Sequence, residues 1–166
     1  MNEMIGNNHI VAEGTTIIAE RTFDAPRERV FAAWKNADAI KQWWGPRDYP
    51  TTYCTVDFRV GGEWHYCMTG PNGEEAWGKS IYMEIVEPER IVYRDIFSDE
   101  QGNENTDMPS FAITVEFHEE QGRTRLVSTS HVASEADLKQ LVEMGMVYGL
   151  AETWDKLDEM LQAQTA

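Results

Sequence analysis

Val147, Leu150, Trp154, Leu157 and Leu161 recur at alternating steps of three and four, which draws one continuous apolar stripe along a helix. A stripe of that length must bury against something broad, and in a single domain the broad partner is a sheet. Ser134 caps this helix, and the periodicity predicts one long span from Glu135 to Leu161. Its first half sets Leu138, Val142, Gly145 and Gly149 on a different side. The helix is therefore expected to serve two surfaces.

The sheet is written between Thr51 and His131. Phe111, Ile113, Val115 and Phe117 alternate as a half-buried strand, and Gln121-Gly122 leads into another from Arg123 to His131. Pro71-Asn-Gly73 and Glu87-Pro-Glu-Arg90 turn the chain into strands from Glu75 to Val86 and from Ile91 to Phe97. Thr15 to Phe23 reads as the first strand. If Val60-Gly61-Gly62 is a three-residue loop, Phe58 faces Trp64, Val56 faces Tyr66 and Cys54 faces Met68, while Arg59 meets Glu63 and Asp57 meets His65. That register puts Cys54 inside and Cys67 outside, which excludes a disulfide between them. Ser98 to Ser110 is polar, acidic and without period, the pattern of a lid or an unstructured segment.

Between the first strand and the sheet, Asp24-Ala-Pro26 opens a short helix that buries Val30, Phe31 and Trp34, with Asp24 near enough to cap it. Asn36 caps a second, carrying Ile40, Trp43 and Trp44 until Gly45-Pro46 stops it. Adjacent helical residues point about 100° apart, so Trp43 and Trp44 cannot share one surface. One is expected to anchor the core and the other to stand at the edge of a cavity.

The 166 residues suffice for one domain: a flexible arm over 1–14, the domain over 15–161 and a tail over 162–166. A net charge of −15 repels phosphate backbones and anionic bilayers, so neither nucleic acid nor membrane is an expected partner. No apolar run approaches the roughly 20 residues of a span, and the first residues lack the regions of a signal peptide, which makes a cytoplasmic location the expectation. His9, His65, His118 and His131 have no ligand spacing; Asp57, Glu63 and His65 read as a surface pairing of charges rather than a metal site. No nucleophile elbow or phosphate loop is present. No metal or cofactor is expected.

Arg21-Thr-Phe-Asp-Ala-Pro26, Val30-Phe-Ala-Ala-Trp34, Trp43-Trp-Gly-Pro46, Val56-Asp-Phe-Arg-Val-Gly-Gly62, Met68-Thr-Gly-Pro-Asn-Gly73 and Glu84-Ile-Val-Glu-Pro-Glu-Arg90 together resemble the bacterial family named for the activator of heat-shock protein 90 ATPase, in the START-like (SRPBCC) superfamily. The likeness runs from about Thr15 to Leu161. It implies an α+β helix-grip fold: a curved antiparallel sheet wrapped around a long C-terminal helix, with two short helices after the first strand. It also implies a cavity between sheet and helix for a small apolar or aromatic molecule, and the family name carries a link to chaperones and the stress response.

Trp43, Trp44, Trp64, Tyr66, Met68, Trp77, Tyr82, Tyr93, Met144, Tyr148 and Trp154 are the candidate ligand-binding residues. Tyrosines would add polar tips to a mostly apolar wall. Met144, Met146 and Tyr148, with Gly145 and Gly149 between them, read either as core packing or as a flexible gate, with the Ser98 to Ser110 loop as its other half. Glu84 is the one catalytic candidate: on a cavity face it could act as a general base, and on the opposite face it is merely solvated. Asp95 raises the same question. Three functions stay open: ligand binding, a cyclase- or hydrolase-like enzyme using Glu84 or a tyrosine, and a chaperone-associated interaction module. A homodimer is possible if the face carrying Leu138 and Val142 is left uncovered.

Overall fold

The computed structural model describes residues 1–164. Among them, nine strands form one antiparallel sheet in the order β1-β2-β3-β9-β8-β7-β6-β5-β4. The strands are β1 (Asn2–Ile5), β2 (Asn8–Glu13), β3 (Thr16–Phe23), β4 (Thr51–Val56), β5 (Glu63–Thr69), β6 (Glu75–Val86), β7 (Arg90–Phe97), β8 (Phe111–Glu120) and β9 (Arg123–Val132). Two short helices, α1 (Arg27–Ala32) and α2 (Ala37–Trp43), bridge β3 to β4, and α3 (Glu135–Glu143) and α4 (Met146–Ala163) close the chain. The apolar stripe of α4, with Val147, Trp154, Leu157 and Leu161 buried, lies in the core. The alternating residues of β8 meet it there: Val115 and Phe117 are almost fully buried.

The first fourteen residues are not the loose arm that their lack of period suggested. They pair as a hairpin, β1 on β2, and β2 continues onto β3. Ile10 is fully buried, which supplies the hydrophobic anchor that a short hairpin needs. The two short helices accordingly follow the third strand. At the other end, α4 runs to Ala163, into the segment read as a tail, and residues 165–166 lie outside the described residues.

Asn36 caps α2 by accepting from the Ala39 N–H at 2.9 Å, and Ser134 caps α3 by accepting from Asp137 at 3.1 Å. Asp24 caps nothing: Pro26 is the N-cap of α1, without a side-chain bond, and Asp24 faces Arg123. The β4–β5 register also departs from expectation. Cys54 lies opposite Tyr66 and Val56 opposite Trp64, a slip of two residues, because the connection is the longer Phe58–Gly62. That loop pairs with β6 instead, through Gly61 and Gly62 to Tyr82, and Arg59 turns back onto Asp57 while Glu63 pairs with Lys79. A slip of two preserves the face of every side chain. Cys54 and Cys67 carry free thiols, and Cys67, on the outer face, is nevertheless buried.

The predicted long helix is broken. Met144 ends α3, and Gly145 at φ 89° adopts the left-handed conformation, from which α4 starts afresh. Glycine takes that conformation without the steric penalty that a Cβ brings. The break lets Leu138 and Leu141 of α3 bury on one side while α4 follows its own stripe. With Leu138 buried and Val142 packed against the core, the face proposed for self-association is largely covered by the chain itself.

An ionic clasp, buried on its arginine side and partly exposed on its carboxylate side, ties α4 to the sheet. Arg21 of β3 donates to Asp155 at 2.6 Å and to Asn8 at 3.3 Å, reaches Asp158 at 3.2 Å, and lies 5.1 Å from the centre of the Phe23 ring. Asn8, fully buried, donates in turn to Asp155 and to the Ala151 carbonyl.

Candidate functional site

Where α3 breaks into α4, the helices stand off the sheet and leave a cavity of about 280 Å³. Its floor is the inner face of β5 to β9, including Tyr66, Met68, Tyr93, Asp95, Phe111, Ile113, Ser128 and Ser130. Its roof is Leu141 and Met144 of the α3 end, then Met146, Leu150 and Trp154 of α4. Trp34, Trp44 and Pro46 form the side wall.

Trp43 and Trp44 separate as their helical angle requires. Trp43 is fully buried, its indole N–H donating to the Ala33 carbonyl at 3.0 Å, whereas Trp44, half-buried, turns to the cavity. Trp44 packs edge-on against Trp64 at 4.5 Å and Tyr66 at 5.6 Å between ring centres. Trp64 is therefore a buried backing to the wall rather than part of its surface. Tyr82 is likewise buried behind the cavity, against Phe58, and does not border it. Trp77 borders the cavity, but its ring stacks with Tyr53 and His65, outward partners on the convex side. Met144 is at the rim, more than half exposed; Tyr148 is equally exposed and outside the lining.

Glu84 is not in the cavity. The Ser80 and Tyr82 face is interior, and an irregularity in the β6–β7 ladder between Tyr82 and Glu84 breaks the alternation just before the carboxylate would turn inward. Glu84 instead accepts from Arg90 at 2.8 Å, with both side chains over two-fifths exposed. The Ser98–Ser110 segment does not cover the mouth as a lid: it folds back on itself through Asp99 and Asn103, and Asp99 receives His65 from the outer face of the sheet.

The carboxyl that does enter is Asp95. It is 6% exposed; one oxygen accepts from Tyr66 and Ser80, each at 3.0 Å, the other has a 3.4 Å contact with Tyr66, and the Ile96 backbone N–H also bonds to the carboxylate. Burial pushes its pKa up to about 7, with the bonds from Ser80 and Tyr66 pulling the other way. Tyr66 and Tyr93 are held well above the ordinary phenol range, first by burial and then by the neighbouring Asp95. They stay neutral donors. Burial also raises Cys54 to about 11, leaving an unreactive thiol.

Gly78 makes this cluster possible. It lies opposite Tyr66 across the β5–β6 ladder, and a Cβ there would sit 2.4 Å from the Tyr66 hydroxyl. Only a bare Cα lets the phenol lie across β6 to reach Asp95. Asp95 sits two places from Tyr93 on the strand, and that alternation was the sequence signal for an inward carboxyl; the adjacent Arg94 masked it by offering a partner. Arg94 in fact pairs outward with Glu104. A hollow of this kind can hold an apolar body and exchange a hydrogen bond or a proton at one point.

The model of the family described as Activator of Hsp90 ATPase homolog 1-like protein matches residues 24–162. Among solved structures, the chain is similar to protein Ms6760 from Mycobacterium smegmatis, at 30% identity over 92% of this chain and 94% of that one, with a TM-score of 0.84. A protein from Arthrobacter aurescens gives 31%, 96%, 93% and 0.88, and one from Staphylococcus epidermidis 32%, 93%, 94% and 0.79. No curated protein matches the chain. No helix among the described residues is long and apolar enough to cross a membrane.

Proposed function

The chain belongs to the Activator of Hsp90 ATPase homolog 1-like family, and from that premise we propose that it binds a small, largely apolar molecule between sheet and helices. The observation that carries this reading is an apolar hollow of about 280 Å³ with a single carboxyl in its wall. The volume lies near the lower end of the ~300–1,000 Å³ of small-molecule sites and is close to twice the ~150 Å³ that accepts benzene. The guest it suits is therefore about two rings in size. Trp44, Tyr66, Met68, Tyr93, Met144 and Trp154 would contact it, whereas the Trp77 ring faces away from it.

The enzymatic alternative loses Glu84, its main candidate, which is solvated and paired with Arg90, and would rest on Asp95 or a cavity tyrosine instead. The chaperone-associated alternative called for a filled core, so the hollow favours ligand binding over it.

Biphenyl tests the reading. Calorimetry should give saturable binding to the wild-type chain, and Ile113→Trp, which fills the hollow from its floor, should abolish it while retaining the far-ultraviolet circular dichroism. No heat of binding in the wild type, or unchanged binding in the filled variant, would overturn it.

A further inference from the structure

We propose that the cavity is polar at two opposite ends and selects an elongated aromatic molecule with a hydroxyl at each end, one donating to Asp95 and the other bonding to Ser128 and Ser130. The proposal rests on the cavity reading above and specifies its ligand class.

Asp95 supplies the first end. A carboxylate offers about four lone-pair positions; Tyr66 and Ser80 converge on one oxygen, the second has a long Tyr66 contact, and the Ile96 backbone N–H is the one further donor, so an accepting position is left for a guest. Among the described residues no lysine, arginine or histidine borders the cavity. A buried acceptor without a cation is completed by a neutral donor brought in by the guest. An anionic guest is disfavoured by Asp95 itself and by the net charge of −15.

Ser128 and Ser130 supply the other end. Both point to the inner face of β9, both border the cavity, and they are 7% and 4% exposed. Neither hydroxyl hydrogen-bonds to another described residue. Each serine keeps a few per cent of its surface, and because both line the hollow, a guest there can bond to their free hydroxyls.

Between the two ends lies β8, whose inward residues here are Phe111 and Ile113. Asp95 lies opposite Phe111 and, one strand further, Val132, so Ser130 and Ser128 stand two strand spacings away and two and four residues back along β9, on the order of 12 and 16 Å. An apolar body of two rings spans that gap and places its terminal groups at the two polar ends.

Biphenyl, its para-hydroxy derivative and its para,para′-dihydroxy derivative, titrated into the full chain at mildly alkaline pH, separate the contributions. Affinity should rise about tenfold at the first hydroxyl, as expected for a bond to a charged acceptor, and severalfold again at the second. Asp95→Asn keeps a carbonyl for Tyr66 and Ser80 but replaces the charged acceptor with an N–H from which the phenol oxygen can only accept, a neutral bond, so it should cut the first step to about threefold or less and retain the second. Ser128→Ala with Ser130→Ala should remove the second and retain the first. Equal affinities for the three compounds in the wild type would overturn the proposal and leave the cavity reading standing. Either variant retaining in full the step assigned to it would also overturn it. If none of the three binds, both readings fall.

Discussion

Arg21 and Asp95 are each 6% exposed, yet their surroundings differ. Arg21 meets two carboxylates and Asn8 on adjoining elements, so its charge is answered within the chain. Asp95 meets only neutral donors and empty space. The same helix passes over both: the second half of α4 is clasped by Arg21, while its first half, beyond the Gly145 break, roofs the hollow. The contrast separates a charge that holds the fold together from one that the fold tolerates at a cost, and it is the second kind that marks a candidate site.

The largest effect expected from breaking this contrast is at the clasp. Arg21→Leu leaves the buried Asn8 short of a donor and sets Asp155 and Asp158 together without their cation. Asp155 and Asp158 are about a third exposed and can be rehydrated, so urea denaturation should register a loss of roughly 2–3 kcal/mol, that of hydrogen bonds to charged groups.

Asp95→Asn should act in the opposite direction and only at higher pH. The folded pKa of about 7 lies above the ordinary carboxyl value near 4, so between these values the native state binds more protons than the unfolded chain. Stability therefore falls as pH rises through that window, and the cost is complete above about 7 and absent below about 4. The variant should be more stable than the wild type at pH 8 by a few kcal/mol at most, with the difference shrinking toward pH 4. Melting temperatures across that range check it.

Gly145→Ala is the smallest of the three. No heavy atom stands within 4 Å of a Cβ there, so the penalty is backbone conformation alone, about 1 kcal/mol. Chemical denaturation should register that loss, and hydrogen exchange should accelerate around Met144 to Gly149 but not around Asp155.

The order of elements was legible because strands and helices here obey their own periods: Phe111 to Phe117 alternate, and the α4 stripe returns every three to four residues. Features set by distant contacts were not. The hairpin of residues 2–13 shows no period of its own and is held by β3 and by Asn8 reaching α4. Cross-strand charge matching does not reveal the β4–β5 register, because the loop bonds to Tyr82 of a third strand. Gly145 stands where the helix changes its buried side, but a helix tolerates glycine at modest cost, so its left-handed turn is visible only in three dimensions. In the cavity wall, aromatic identity found Trp44, Tyr66 and Tyr93, whereas Ser128 and Ser130 read as ordinary strand residues.

The side wall of the hollow has an optical consequence. Trp34, Trp43, Trp44 and Trp64 form a connected group with neighbouring ring centres 4.5–6.4 Å apart. Excitation absorbed by any of these indoles can migrate to the others, and Trp44 abuts the space a guest would fill. The intrinsic emission of the chain is thus a built-in reporter of occupancy, readable without label or modification.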